Sequence, residues 1–165
     1  MSLLGALFAL INSAGYPAFA GATPAQQAAF GAQVQLLGSQ LAWLLPLPRD
    51  PATVGGFVQW RAFGFFSIVF AAWAVVSACG AVRKDEEHGL VAAWLAAGAS
   101  RAEVALSRAG AFALVSAVVV VLTALATLVG TASAGQAVHI GGLLAVTADL
   151  WIFTLACYGI SALIA

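Results

Sequence analysis

Charge is what this sequence has least of. Only 7% of its 165 residues are Asp, Glu, Lys or Arg, while 63% are hydrophobic; a soluble domain carries about 25% charged residues. So few charges cannot cover a core of this size. With a mean hydropathy of +1.03, lipid becomes the solvent for most of the chain. The formal net charge is zero, which excludes the basic face that nucleic acid requires. The two cysteines, Cys79 and Cys157, lie inside apolar runs. They give neither a disulfide framework nor a metal-ligand spacing and read as small hydrophobes. Lysine is reduced to Lys84, between Arg83 and Asp85, whereas a nucleotide-binding loop needs Gly-Lys-Ser/Thr. Gly159-Ile160-Ser161 is the nearest approach to a nucleophile motif, and no histidine follows it to act as base. No enzyme activity, cofactor or metal is expected in this chain.

What is present is a set of long apolar runs. The first expected span covers residues 3–22, interrupted by Asn12, Ser13 and Pro17. Ala18-Phe19-Ala20 imitates a signal-peptidase site, but no basic segment precedes the run, so a retained span is the better reading. Further spans are expected at 61–82, 109–130 and 139–165. The small residues Gly64, Ala71, Ala74 and Ala78 suit close helix packing in the second. In the third, Ser116, Thr123 and Thr127 line one side as interhelical glue and Gly130 is the expected stop. The sequence begins directly on a span and stops within apolar residues 163–165, so a longer parent chain is expected.

Between the first two spans, residues 24–60 are less apolar. Pro24 can open a helix on which Phe30, Val34, Leu37, Leu41 and Leu44 form one apolar stripe. Gln26, Gln27, Gln33 and Gln40 occupy its other sides. That pattern predicts a helix capping the bundle or lying in the membrane interface. Pro46, Pro48 and Pro51 end it, and Gly55-Gly56 is expected to turn the chain.

Residues 83–108 stand apart. They hold four of the six basic residues and four of the six acidic ones. The positive-inside rule therefore places them in the cytoplasm, with both termini on the same side. His88 and His139 then lie on opposite membrane faces and make no metal site. Asp85, Glu86 and Glu87 are expected to open a short helix with Leu90, Val91, Trp94 and Leu95 on a narrow apolar face. Gly98 should stop that helix, and Ser100-Arg101-Ala102-Glu103 reads as a capping box for the next. The sum is an all-α polytopic membrane protein: about four transmembrane helices, an extracytoplasmic amphipathic helix and a cytoplasmic elbow.

The elbow resembles the segment between the second and third spans of type-2 ABC exporter permeases. In that family Arg, a pair of acids, Gly, a Leu-rich stretch, a Pro or Gly turn and Ser-Arg occur in order. Arg83, Glu86, Glu87, Gly89, Leu95, Gly98, Ser100 and Arg101 match without a gap. Gly56-Phe57-Val58-Gln59-Trp60-Arg61 resembles the approach to the second span in the polyketide-antibiotic exporter branch. The chain departs from the pattern at Leu90 and Ala92, where relatives often carry a polar residue and Glu. It corresponds to the first four spans of a normally six-span core. The resemblance implies a permease, without a nucleotide site of its own, that exports a hydrophobic or amphipathic compound. The partners it implies are membrane lipid, a second permease half or copy, and a separate ABC ATPase carrying ATP and Mg. Glu86, Glu87, Gly89, Trp94, Leu95, Gly98 and Arg101 are the implied ATPase-coupling residues: the acids meet basic groups, Trp94 and Leu95 fill a cleft, and Gly98 shapes the elbow. The lipoprotein-release type of permease has a large domain after its first span, for which about 38 residues are too few.

Asp149 lies within the last apolar run, where a charge costs about 2.5–3.5 kcal/mol on insertion scales. It is expected at a packed interface, on the side of Gly142 and Ala145, or on a transport path. The rival readings of the chain are an ion-coupled carrier using Asp149 and a non-transporting membrane scaffold.

Overall fold

The computed structural model describes residues 2–87 and 89–164, with side chains at 4–80, 89 and 92–164, and every regular element among them is helical. In order these are α1 (Ser2–Ala14), α2 (Tyr16–Ala20), α3 (Pro24–Gln40), α4 (Val54–Val58), a π-helical segment (Gln59–Gly64), α5 (Phe65–Glu87), α6 (Leu90–Ala96), α7 (Arg101–Ser133) and α8 (Ile140–Ile164). Three helices are long and apolar enough to cross a membrane: Val54–Gly80, Arg101–Ser133 and Ile140–Ile164.

The expected first span is divided. Helix α1 has 13 residues, about 20 Å at 1.5 Å per residue, against a hydrocarbon core of about 30 Å. It breaks at Gly15 because Pro17 has no N–H for the Ser13 carbonyl and its ring crowds the preceding turn. The second spanning helix starts earlier than expected. Thr53 caps it by accepting a hydrogen bond from the Gly56 N–H at 3.1 Å, so Gly55 and Gly56 lie in its first turn. At its other end the helix continues through the acids to Glu87. Asp85, Glu86 and Glu87 therefore close α5 and do not open the short helix.

Helix α3 buries part of the expected stripe: Val34 is in the core, and Phe30 and Leu41 pack against it. Gly31, Val34 and Gly38 are its buried residues, while Leu37 and Leu44 are exposed. What packs on α3 is its own returning loop. Cβ atoms added at Gly31 and Gly38 would run into Ala52 and Pro48. The two glycines let the proline-rich strand lie against the helix, and the leucines turn outward. Tyr16 fastens this cap by donating its hydroxyl to the Ala52 carbonyl. Its ring packs with Phe30 and Phe57 at centroid distances of 6.2 and 5.6 Å.

Helix α7 is the hub. Helix α1 lies parallel to it: a Cβ on Gly5 would sit 3.1 Å from the Thr123 hydroxyl, and one on Gly130 would sit 2.7 Å from the Ser13 Cβ and 2.9 Å from the Leu10 carbonyl oxygen. Gly5, Ala9 and Ser13 recur every fourth residue along this seam, facing Thr123, Thr127 and Gly130, the small-residue spacing that lets helix backbones approach. Gly130 is thus a packing residue and not the stop. The helix ends at Gly135, whose φ of 65° and the Gln136 N–H to Thr131 carbonyl bond at 3.0 Å form a left-handed C-terminal cap. Helix α8 returns antiparallel, tied to α7 by the Trp151 indole, which donates to the Ala113 carbonyl and the Ser116 hydroxyl at 3.2 Å each. Helix α5 lies on α8 with Ala74 and Ala78 fully buried, as the small residues of this span predict.

The seam gives a test with two signs. Gly130→Ala should lower stability by about 1–3 kcal/mol, because its new methyl meets backbone that cannot rotate away. Gly110→Ala, with open space around it, should raise stability by up to about 1 kcal/mol through helix propensity. Denaturant titration in detergent, followed by circular dichroism, reads both; equal effects would refute the seam.

Candidate functional site

Two regions carry polar chemistry, at opposite ends of the bundle. The elbow is built from α5, α6 and α7. Gly89, with φ of 68°, joins α5 to α6, and Gly98, with φ of 92°, joins α6 to α7. Nothing lies within 4 Å of a Cβ at either position, so backbone conformation and not space requires glycine there. Gly98 stops α6 as predicted: its own N–H reaches the Leu95 carbonyl at 3.1 Å, and the Ala99 N–H reaches the Trp94 carbonyl at 3.0 Å. The expected capping box is also formed. Ser100 accepts from the Glu103 N–H at 3.2 Å, and Glu103 accepts from the Ser100 N–H at 2.7 Å. Arg101 is exposed on the first turn of α7. The side chains of Glu86 and Glu87, and the whole of His88, lie outside the described residues.

Trp94 and Leu95 are half-buried, whereas Ala92, Ala93, Ala96 and Ala97 are exposed. The Arg108 guanidinium sits over the Trp94 ring at 4.9 Å, so one ring face is already covered from within the chain. Helix α6 is therefore held to α7 by a cation–π contact of a kind that reaches about 2 kcal/mol when desolvated. Below it, Phe112 of α7 stacks on Tyr158 of α8 at 4.2 Å, and Trp73 of α5 lies 5.0 Å from Phe112. The elbow thus stands on an aromatic floor that touches all three long helices.

The second region is a cleft between the π segment and α8, with α7 behind it. Its outer chamber, about 390 Å³, is bordered by Arg49, Asp50, Gln59, Thr127 and His139. Its inner chamber, about 190 Å³, is bordered by Gln59, Ser67 and Asp149 among apolar residues. Gln59, Phe63 and Val146 line both, so the two chambers share a wall. Asp149 is exposed on the flank of α8 and is not packed away as expected, and it forms no hydrogen bond or ion pair among the described residues. Thr127 turns its hydroxyl to the Thr123 carbonyl at 3.0 Å. His139 accepts the Gly142 N–H at 3.0 Å, a capping role that its position before α8 predicts. Among the described residues no three His, Cys, Asp or Glu side chains gather as a metal site.

The structure gathers the elbow residues at one end and places Asp149 far from them. Two contributors escaped the sequence reading. Arg108 counted there only as a charge; its spacing from Trp94 across the Gly98 turn carries no helical signal. Gln59 lies in a π-helical turn, a feature enriched at functional sites that no local composition marks.

The capping box predicts a titration. The Ser100 N–H and then the Ser100 hydroxyl, both donating to Glu103, hold its carboxyl below the usual carboxylate range. A depressed folded-state value means that the cap contributes fully above the unfolded glutamate value. It is lost as pH falls through the folded one. Carbon-13 NMR of the Glu103 carboxyl should show the low midpoint, and Ser100→Ala should return it upward; an unmoved midpoint would refute the cap.

Comparisons with protein-family models, with curated proteins and with solved structures found no match for this chain.

Proposed function

We propose that the chain is a permease subunit of an ATP-driven exporter of the ABC type, moving a hydrophobic or amphipathic compound outward across the cell membrane. ATP and Mg belong to a separate ATPase, and a second permease half or copy completes the pathway. One observation carries the reading: a seven-residue helix is set between two left-handed glycine joints at the end of the bundle, continuous with two long helices. A helix so placed is a lever. Force on α6 passes directly into α5 and α7, because Gly89 and Gly98 set its angle and Arg108 clamps Trp94 to α7. The exposed alanine face of α6 leaves room for another protein to approach, and Arg101 offers a charge beside it. Glu86 and Glu87 are assigned to the same surface on the strength of the resemblance.

A second reading, an ion-coupled carrier, is favoured by the unpartnered Asp149 beside the cleft. The energy source separates the two. Membranes expressing the chain with its native ATPase should yield that ATPase on affinity purification of the chain, and efflux from vesicles should follow ATP. Absence of an associated ATPase, or efflux that follows a proton gradient and ignores ATP, would overturn the exporter reading.

The lever makes its own prediction. Trp94→Ala and Arg108→Ala each remove the clamp, and loss of about 1.4 kcal/mol corresponds to about tenfold in an equilibrium. Transport per ATP hydrolysed should fall about tenfold in either variant, with no further loss when the two are combined. Additive losses would show that the residues act separately.

A further inference from the structure

We propose that the cleft between the π segment and α8 is a binding site for a lipophilic monocation, with Asp149 as its counter-charge. On the exporter reading such a cation is the cargo; the binding itself does not depend on that reading.

The starting point is an electrostatic imbalance. Asp149 is the tenth residue of α8, about 14 Å from the helix start at 1.5 Å per residue. A carboxylate at that depth has to meet a positive charge, water or a proton. Among the described residues no side chain pairs with it. The inner chamber offers only neutral groups. Ser67 spends its hydroxyl proton on the Gly64 carbonyl at 2.6 Å, and Gln59 is an amide. The basic side chains of the cleft, Arg49 and His139, border the outer chamber but not the inner one. His139 accepts the Gly142 N–H at Nδ1 in capping α8, and Arg49 forms no ion pair with Asp149 among the described residues.

The shape fits the charge. The chamber beside Asp149 holds about 190 Å³, room for a compact ligand, and its neighbour of about 390 Å³ shares the Gln59, Phe63 and Val146 wall. Phe63 and Phe153 flank the inner chamber, and aromatic faces attract organic cations. Phe153 is also partly exposed, at 45%, so the inner chamber opens sideways on the flank of α8. A ligand can then enter from the bilayer, which selects for lipophilic molecules. An anion would meet Asp149 as a like charge, and a neutral molecule would leave the carboxylate uncompensated. A compact organic cation satisfies the carboxylate, the aromatic faces and the lateral opening together.

The test is equilibrium dialysis of radiolabelled benzyltrimethylammonium, a compact aromatic monocation, against the purified full-length chain in nanodiscs. Saturable binding is expected, weakened about tenfold or more by Asp149→Asn, the factor that about 1.4 kcal/mol represents. Asp149→Glu should stay within about threefold of the unaltered protein because it keeps the charge. Phe153→Leu, a surface change that tests the site without touching the carboxylate, should weaken binding by about threefold through its lost ring face. Neopentylbenzene, the neutral isostere, should not compete. No saturable binding, equal binding by Asp149→Asn, or equal competition by neopentylbenzene would overturn the proposal. Trp94→Ala should bind the cation normally while failing in transport. Normal binding with no associated ATPase would leave the cation site standing and remove the exporter reading.

Discussion

The close approach of α1 to α7 is the constraint on which the rest of the bundle depends. A Cβ at Gly130 would lie 2.9 Å from the Leu10 carbonyl oxygen, so the two backbones touch with no side chain between them. Lipid supplies no hydrophobic drive for helices to associate; shape has to do it. The α1 seam of Gly5, Ala9 and Ser13 gives that shape, and the buried hydroxyls of α7 complete it without demanding partners across the gap. Thr123, Thr127 and Thr131 donate to the Val119, Thr123 and Thr127 carbonyls of their own helix at 2.9, 3.0 and 3.0 Å. Each polar group is satisfied locally, as a medium without water requires. The interface is left free to be a packing surface.

The remaining helices are joined by aromatic rings more than by hydrogen bonds. A ladder runs Phe8, Phe66, Phe70, Trp73, Phe112 and Tyr158 at centroid distances of 5.1, 6.1, 5.9, 5.0 and 4.2 Å. It visits α1, α5, α7 and α8 in turn. Edge-to-face and stacked ring pairs contribute about 0.5–1.5 kcal/mol each beyond buried area, and they tolerate small rotations better than a directional bond does. A bundle held this way is cohesive without depending on directional bonds between its helices.

Membrane class and helical content were legible in the sequence because they follow from average composition, and lipid leaves few alternatives to helix. The Gly98 stop and the Ser100–Glu103 capping box were legible because their chemistry is local to four or five residues. What failed was whatever depended on a distant partner. The α3 stripe held at Phe30, Val34 and Leu41 but not at Leu37 and Leu44, which face outward as lipid permits, and Gly31 and Gly38 mark the contact with the returning loop. Gly130 resembled a stop because its partner, the Leu10 carbonyl, is far away in sequence. The acids at 85–87 suited the start of a helix by charge, yet helix α5 runs on through them to Glu87. Asp149 was expected at a packed interface or on a transport path, but its place beside Gln59 needed the π-helical turn, which sequence does not announce.

Helix α7 belongs to both polar regions, and this decides how they can communicate. Arg108 near its start holds the elbow, and Thr127 near its end lines the cleft. The two lie nineteen positions apart in the sequence, about 28 Å along continuous helix. A rod of that length needs no relay of side chains: a tilt imposed at one end appears at the other. Helix α5 is the second rod, since it continues without a break from the π segment that forms the opposite wall. On the proposed reading, a displacement of α6 moves the π-segment wall and the α7 floor of the cleft, because Gly89 and Gly98 set the joints between α6 and the two rods. Helix α8, which carries Asp149, is connected to the elbow only through its neighbours. The π-segment wall would then shift against the wall that carries the carboxylate. That geometry changes the surroundings of the charge, and so its affinity for a cation.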